Sequence, residues 1–249
     1  MIRFYLLIIL NLHLCLKFLK GLNKILKNPE NYTDEMRYQY CREIIHTINK
    51  KGKINVEGFG TGNLPQNTGY VLYSNHQGRY DAIGVLETHE APCRVVIKKN
   101  RGKAPLIRQF LDVLQAKKLE VGNLKGTLQL FKEVEQEIME GKKYLIFPEG
   151  IYHKNKNTLQ EFHTGCMRFL HNAKCPIVPV AIYDTYKVFN VNSLKKVHCE
   201  VHYLSPIYYE EYENLSKNEI AELIKSRIQE KINERNLYYK ELKNNKKRR

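Results

Sequence analysis

The chain has no tryptophan, no cysteines paired at redox or metal spacing and no unbroken apolar run of membrane-spanning length, and its 26 acidic residues are outnumbered by 41 lysines and arginines. Each shortage narrows the reading. Aromatic bulk has to come from 17 tyrosines and 9 phenylalanines, and a hydrophobic content of 43% in 249 residues fills one core. That composition fits neither a disordered chain nor a disulfide scaffold. The six cysteines, Cys15, Cys41, Cys93, Cys166, Cys175 and Cys199, are widely scattered, which suits reduced thiols in a cytoplasmic compartment, and no metal site is expected. The acid deficit leaves a formal charge of +15 and directs the chain to an anionic partner: phospholipid, nucleic acid or an acidic carrier protein.

The longest apolar stretch, Phe4 to Leu16, is interrupted only by Asn11 and His13 and is flanked by Arg3 and Lys17. As a helix it reaches about 20 Å against a hydrocarbon core of roughly 30 Å, so it is not expected to span. The small-x-small cleavage site of a secretory leader does not follow it. His13, Lys17, Lys20, Lys24 and Lys27 form one polar stripe opposite Cys15, Phe18, Leu19, Leu22, Ile25 and Leu26. Two readings fit this stripe. A helix lying in the membrane interface would bury its apolar face in lipid and set its lysines against anionic headgroups, giving a monotopic or peripheral protein on the cytoplasmic face. Alternatively, the helix docks on the protein's own core.

Beyond the basic cluster Lys50 to Lys53 the texture changes to short β-branched or aromatic runs: Ile54 to Glu57, Tyr70 to Ser74, Val95 to Lys98, Leu119 to Val121, Tyr144 to Phe147, Ile177 to Ile182 and Val197 to Leu204. Helical spacing fills several gaps, as in Leu124, Leu128, Phe131, Val134 and Ile138, which stop at Gly141. The alternation predicts an α/β fold, a mostly parallel central sheet flanked by helices, with an N-terminal amphipathic helical segment that associates with membranes. Three parts are expected: residues 1–50, amphipathic helices that associate with membranes; residues 51–215, the α/β core; residues 216–249, a helix opened by the Ser216 and Glu219 capping box and closed by a basic tail with Lys243, Lys246, Lys247, Arg248 and Arg249, a charge run of a kind that is usually disordered and solvated but can also touch lipid phosphates.

The segment Tyr73-Ser74-Asn75-His76-Gln77-Gly78-Arg79-Tyr80-Asp81 ends a predicted strand and opens a helix, which puts His76 at the carboxyl edge of the sheet, where ligands of open α/β sheets gather. With Asp81 one turn into that helix, the chain can fold the imidazole back onto the carboxylate. This makes a base with an orienter, able to take a hydroxyl proton near neutral pH without a serine or cysteine nucleophile.

His76 and Asp81 in the pattern NHxxxxD resemble the first motif of the glycerolipid acyltransferase family, whose best-known members acylate lysophosphatidic acid. Further blocks follow in that family's order: Phe147-Pro148-Glu149-Gly150 after a strand, Phe162-His163-Thr164-Gly165, and the proline-containing Val178-Pro179-Val180-Ala181-Ile182, with Lys98 and Pro105 similar to a segment after the family's second strand. The resemblance implies an O-acyltransferase of phospholipid biosynthesis or remodelling. His76 would deprotonate the acceptor hydroxyl, Asp81 would steady the imidazolium, and backbone N–H groups of Gly78 or Gly150 would meet the oxyanion. It further implies that Asn75, Arg79, Lys98, Phe147, Pro148, Glu149, Gly150 and Pro179 line the substrate site, with Glu149 bonded to an acceptor hydroxyl or fixing a nearby cation. Pro179 would shape the acyl groove or only close an edge strand. The co-substrate would be a thioester of coenzyme A or acyl carrier protein with no further cofactor, the acceptor a lysophospholipid, and no nucleic-acid partner is expected.

Two arginines of the family pattern are missing. Ile151-Tyr152-His153 follows the Phe-Pro-Glu-Gly block, and Ala116 through Gly122 stands where another motif ends in arginine. Those arginines grip the acceptor phosphate as paired donors, which lysine copies poorly. Lys98, Lys117, Lys118, Lys154 or Arg168 are the candidate replacements. Two other functions stay open at this level: a basic binding module for nucleic acid or membrane, and a lipid hydrolase or thioesterase using the same histidine with water.

Overall fold

Tyr70–Ser74 and Ile177–Tyr183 are buried at every position, so both faces of those strands must be covered. In the computed structural model, which describes residues 2–102, 104–153 and 155–247, they lie side by side at the centre of one sheet. The strands are β1 (Ile54–Phe59), β2 (Tyr70–Ser74), β3 (Cys93–Lys98), β4 (Lys117–Leu119), β5 (Lys143–Ile146), β6 (Ile177–Tyr183) and β7 (Val197–Tyr203), in the order β1-β7-β6-β2-β5-β3-β4. From β6 to β4 all neighbours are parallel, while β7 runs antiparallel to β6 and β1 runs parallel to β7. Consequently β1 and β7 start at the same edge of the sheet at which β2, β3, β5 and β6 end. The sheet is the mostly parallel α/β arrangement expected. One strand is displaced: pairing stops at Leu119 rather than running to Val121, because the chain leaves the sheet there and turns at Gly122 with φ +89°.

Helices cover both faces. In chain order they are α1 (Ile2–Leu10), α2 (Leu12–Lys27), α3 (Asp34–Gly52), α4 (Asp81–Thr88), α5 (Pro105–Val113), α6 (Leu124–Met139), α7 (Leu170–Ala173), α8 (Tyr186–Phe189), α9 (Tyr209–Tyr212) and α10 (Lys217–Lys247). One face packs α2, α3, α4 and α5 over Leu72, Leu145, Val178 and Val180; the other packs α6, α7 and α10 over Val71, Tyr73, Tyr144 and Ala181. Local chemistry sets the helix ends. Thr33 caps α3 by accepting from the Met36 amide at 3.2 Å, Asn123 caps α6 through the Gly126 amide at 2.8 Å, and Gly141 leaves α6 at φ +91°. Ser216 and Glu219 exchange the two hydrogen bonds of a capping box at the start of α10, whose Ile220, Ile224, Ile228 and Ile232 are fully buried.

The tail corrects one expectation. Residues read as a solvated charge run continue α10 as far as Lys247, because a helix already nucleated and packed extends at the cost of one residue per added hydrogen bond. Arg248, Arg249 and Lys154 lie outside the described residues.

The N-terminus is not one helix but two, bent by 81° at Asn11. The apolar face of α2 packs on the protein's own core, with Leu22 and Ile25 buried and Phe18 and Leu26 against them, while Lys17, Lys20, Lys24 and Lys27 are exposed. Thus the apolar face opposite the lysine stripe is covered by the protein, and the exposed apolar residues are others: Ile2, Tyr5, Ile9, Leu10, Leu12 and Leu16 on either side of the bend. Among the described residues no single helix is long and apolar enough to cross a membrane; only the bent pair passes that test together. Arg3 pins α1 to the sheet. Its buried guanidinium donates to the carbonyls of Gly52 at 3.2 Å, Ser193 at 2.9 Å and Lys195 at 2.5 Å, next to the starts of β1 and β7. Phe4 packs edge-on to Phe189 of α8 at 5.5 Å. α1 therefore packs at the edge where β2 and β5 end. Replacing Arg3 by Ala strips these carbonyls of their donor, and urea denaturation should show a loss of about 1–3 kcal/mol. An unchanged midpoint would contradict this attachment.

Candidate active site

The end of β2 is held before any reactive group appears. Asn75 is buried, and its side-chain amide donates to the Ile182 carbonyl at 3.1 Å and accepts from the Ile182 amide at 2.9 Å. This ties the chain leaving β2 to β6, beyond the last paired rung at Ser74 and Val180. Each half of the amide thus makes one bond inside the protein, and Asn75 positions the loop that carries His76.

Asp81 opens α4 with its buried carboxylate turned back to the loop, where the helix dipole favours negative charge. Its Oδ2 accepts from the amides of Gln77 at 2.5 Å and Gly78 at 2.8 Å and from His76 Nδ1 at 2.6 Å, and Oδ1 accepts from the Thr185 hydroxyl at 2.7 Å. Four residues separate His76 from Asp81, and that length lets the loop wrap around the carboxylate. Since the carboxylate only accepts, the neutral imidazole carries its proton on Nδ1 and leaves Nε2 with a lone pair. The ring stacks on Phe147 at 4.6 Å and meets Tyr152 edge-on at 5.0 Å, which fixes its plane. The His76 side chain is 18% exposed, so the ring can be reached from the rim. Among the described residues nothing bonds to Nε2.

Glu149 stands behind the same loop. Its Oε1 accepts from the His76 amide at 3.2 Å and its Oε2 from Gln160 Nε2, which also bonds to the Ile151 carbonyl. Each oxygen thus accepts a bond inside the protein, and no cation of the chain pairs with them among the described residues. Burial pushes the Glu149 carboxyl above the ordinary range, and the bonds from Gln160 and the His76 amide offset this in part. The turn itself needs Gly150, whose φ is +67° and whose amide closes onto the Phe147 carbonyl at 3.0 Å. His163 donates its amide to the Pro148 carbonyl at 2.9 Å, so the Phe-His-Thr-Gly stretch folds back on the Phe-Pro-Glu-Gly turn.

The other expected site residues divide. Arg79 is exposed at the rim, with its Nε donating to the Tyr152 hydroxyl at 3.1 Å, across that ring from His76. Lys98 ends β3 at the same edge, two strands and roughly 10 Å from β2. Lys117 pairs with Glu133 and Glu137, and Lys118 with Asp112, on β4 at the far side of the sheet. Arg168 donates to the Gly165 carbonyl and lines a groove of about 700 Å³ beside α6 with Lys125 and Lys132. Pro179 closes no edge strand: β6 lies between β7 and β2, and the proline sits just beyond the β6–β7 pairing, where its carbonyl accepts from Leu204 and no amide is required. The two amides expected to meet an oxyanion are committed as well, Gly78 to Asp81 and Gly150 to Phe147.

Four contributors went unnoticed in the sequence. Gln77 is fully buried and bonds to Asn157 and Ile182; Thr185 and Gln160 hold the two carboxylates; Tyr152 walls the imidazole. Gln77 lies inside the first motif and was visible there, whereas nothing in the spacing marks Gln160 or Thr185. Among the described residues no group of three or more His, Cys, Asp or Glu is arranged to hold a metal ion.

A family model described as Acyltransferase matches residues 53–183, the stretch that contains His76, Asp81, Glu149 and Gln160 and stops two residues short of Thr185. The chain belongs to the acyltransferase family. It is 27% identical over 161 residues to human 1-acyl-sn-glycerol-3-phosphate acyltransferase alpha, covering 62% of this chain and 55% of that one. It is 25% identical over 191 residues to the 1-acyl-sn-glycerol-3-phosphate acyltransferase of Saccharomyces cerevisiae, covering 73% and 60%. The matched stretch thus spans little more than half the length of these relatives. The crystal structure of a 1-acyl-sn-glycerophosphate acyltransferase from Thermotoga maritima superposes with a TM-score of 0.69 at 16% identity, covering 91% of this acyltransferase-family chain and 96% of that one, which establishes the shared fold.

The buried Glu149 yields a pH test of the site. A carboxyl whose pKa is raised by folding stabilises the fold most when protonated, and that advantage is lost as pH rises through the raised value. The stability of Glu149→Gln relative to the parent should therefore climb from acid to neutral pH in urea titrations. A difference independent of pH would contradict the assigned burial.

Proposed function

We propose that this chain moves a fatty acyl group from a thioester, of coenzyme A or of acyl carrier protein, to the free hydroxyl of 1-acylglycerol-3-phosphate or a similar lysophospholipid. It would do so at the cytoplasmic face of a membrane, in phospholipid biosynthesis or remodelling. The single observation that carries this reading is an imidazole with Nδ1 held by Asp81 and Nε2 open at the rim. The names of the human and yeast relatives support the choice of acceptor.

The chemistry follows from the geometry. Nε2 takes the acceptor's hydroxyl proton as the oxygen attacks the thioester carbonyl, and Asp81 stabilises the imidazolium. The tetrahedral intermediate collapses with loss of the thiolate, which recovers the proton from Nε2. No acyl-enzyme is needed. Ser74, the hydroxyl nearest in sequence, is buried and donates to the Asn75 carbonyl instead of to His76.

Membrane docking rests on Ile2, Tyr5, Ile9, Leu10, Leu12 and Leu16, apolar side chains exposed on α1 and the start of α2, followed along α2 by the exposed Lys17 and Lys20. Each such side chain contributes about 1.5–3 kcal/mol when fully buried and each lysine near anionic headgroups roughly 1 kcal/mol.

The test is product analysis. Purified protein on anionic vesicles with labelled acyl thioester and a panel of lysophospholipids should form the diacyl lipid, with lysophosphatidate preferred. His76→Ala should lose at least about 100-fold in rate with an unchanged circular dichroism spectrum. Release of free fatty acid at a rate indifferent to acceptor would mark a hydrolase, and retention of most activity in His76→Ala would remove the base.

A further inference from the structure

The strongest feature that the site does not absorb is the far end of α10. At 31 residues and about 46 Å, α10 is longer than the sheet it covers. Its last packed turn is clamped by Glu200 of β7: Arg235 donates to both carboxylate oxygens at 2.7 and 2.8 Å, the Tyr239 hydroxyl adds 2.6 Å, and His202 Nε2 lies at 2.9 Å. Tyr183 stacks on Tyr239 at 5.4 Å and bonds to Asn236. Burial alone would raise the Glu200 carboxyl; the bonds from His202, Arg235 and Tyr239 outweigh it and bring the pKa down to about 2, so the clamp stays charged at neutral pH. Glu200 is paired with Tyr183, the last residue of β6, so the clamp sits at the rim that carries His76. The helix beyond it, Lys240 to Lys247, projects roughly 12 Å past that rim.

What projects is not neutral surface. Leu237 is 61% exposed, and Tyr238 and Leu242, one turn apart, are exposed with it. Lys240 and Lys243 are exposed beside them, and residues 240–249 hold six basic residues and one acid. Leucine and tyrosine mixed with lysine are the composition of a helix seated in a membrane interface, where the tyrosine hydroxyl and the ammonium groups stay among the headgroups. At the same edge of the sheet α1, which carries the exposed Ile2, Tyr5 and Ile9, packs against the start of β1 and α8, whereas α10 crosses β6 and β7.

We propose that the protruding end of α10 is a second membrane-contacting element, matched to the interface of an anionic bilayer. This rests on the membrane reading of the α1–α2 bend. One contact leaves the protein free to tilt about it. A second contact across the rim fixes the tilt, and with it the direction in which Nε2 of His76 meets a lipid hydroxyl.

The absence of tryptophan permits a direct test in the full chain, with Leu10→Trp and Leu242→Trp as single fluorophores and brominated anionic vesicles as the probe. Both emissions should shift to the blue and be quenched, the Leu242→Trp signal only with anionic lipid and not at high salt. Reversing Lys240 and Lys243 together to glutamate should weaken vesicle affinity about tenfold or more, with turnover of a water-soluble short-chain acceptor unchanged. A Leu10→Trp shift with Leu242→Trp emission as in buffer would overturn the proposal while leaving the first contact intact. If neither emission moves, membrane docking fails altogether and this inference with it. Vesicle affinity within twofold of the parent after the double reversal would also overturn it.

Discussion

The carboxylate of Asp81 accepts from the backbone of Gln77 and Gly78, from the Thr185 hydroxyl and from the imidazole of His76, so the same two oxygens that orient the base also hold the loop that carries it. Much of the site depends on that economy. A buried carboxylate needs several donors to remain charged away from water, and a base needs a fixed tautomer; the loop satisfies both with one side chain. Glu149 repeats the device one strand over, holding the His76 amide from behind while Gln160 holds Glu149. The imidazole is consequently braced at its backbone, at Nδ1 and on two sides of its ring, and its remaining nitrogen faces the opening.

The fold was legible where burial dictates sequence. All seven strands were read in order, since strands buried on both faces must be short apolar runs, and α6 could be bounded by a glycine that its C-terminal turn requires. His76 and Asp81 were legible because their contact is local. Glu149 was recognisable as a site residue, yet its partner was not: the bond to the His76 amide closes across 73 residues, and the Gln160 bond depends on how an irregular loop returns to the sheet. Residues that hold other residues leave little trace in spacing.

The N-terminal stripe was ambiguous for a physical reason. Leu22 and Ile25 would look the same whether covered by lipid or by α5, because both environments are apolar and the helical period is the same. Only the fold shows that α2 turns this face inward and that the unburied apolar residues cluster at the bend beside Asn11. The two missing arginines were legible as an absence, and the structure narrows the substitutes: Lys117 and Lys118 are spent on carboxylates at the outer strand, while Arg79 and Lys98 stand at the rim with His76.

The central claim is that His76 and Asp81 act as one unit. A double-mutant comparison of acyl-transfer rates for His76→Ala, Asp81→Asn and the combined variant tests it most directly. If the carboxylate works only through the imidazole, the combined variant transfers acyl groups no more slowly than His76→Ala alone. Losses that multiply would show that Asp81 acts on the reaction independently, and the account of this rim as a braced single base would be wrong.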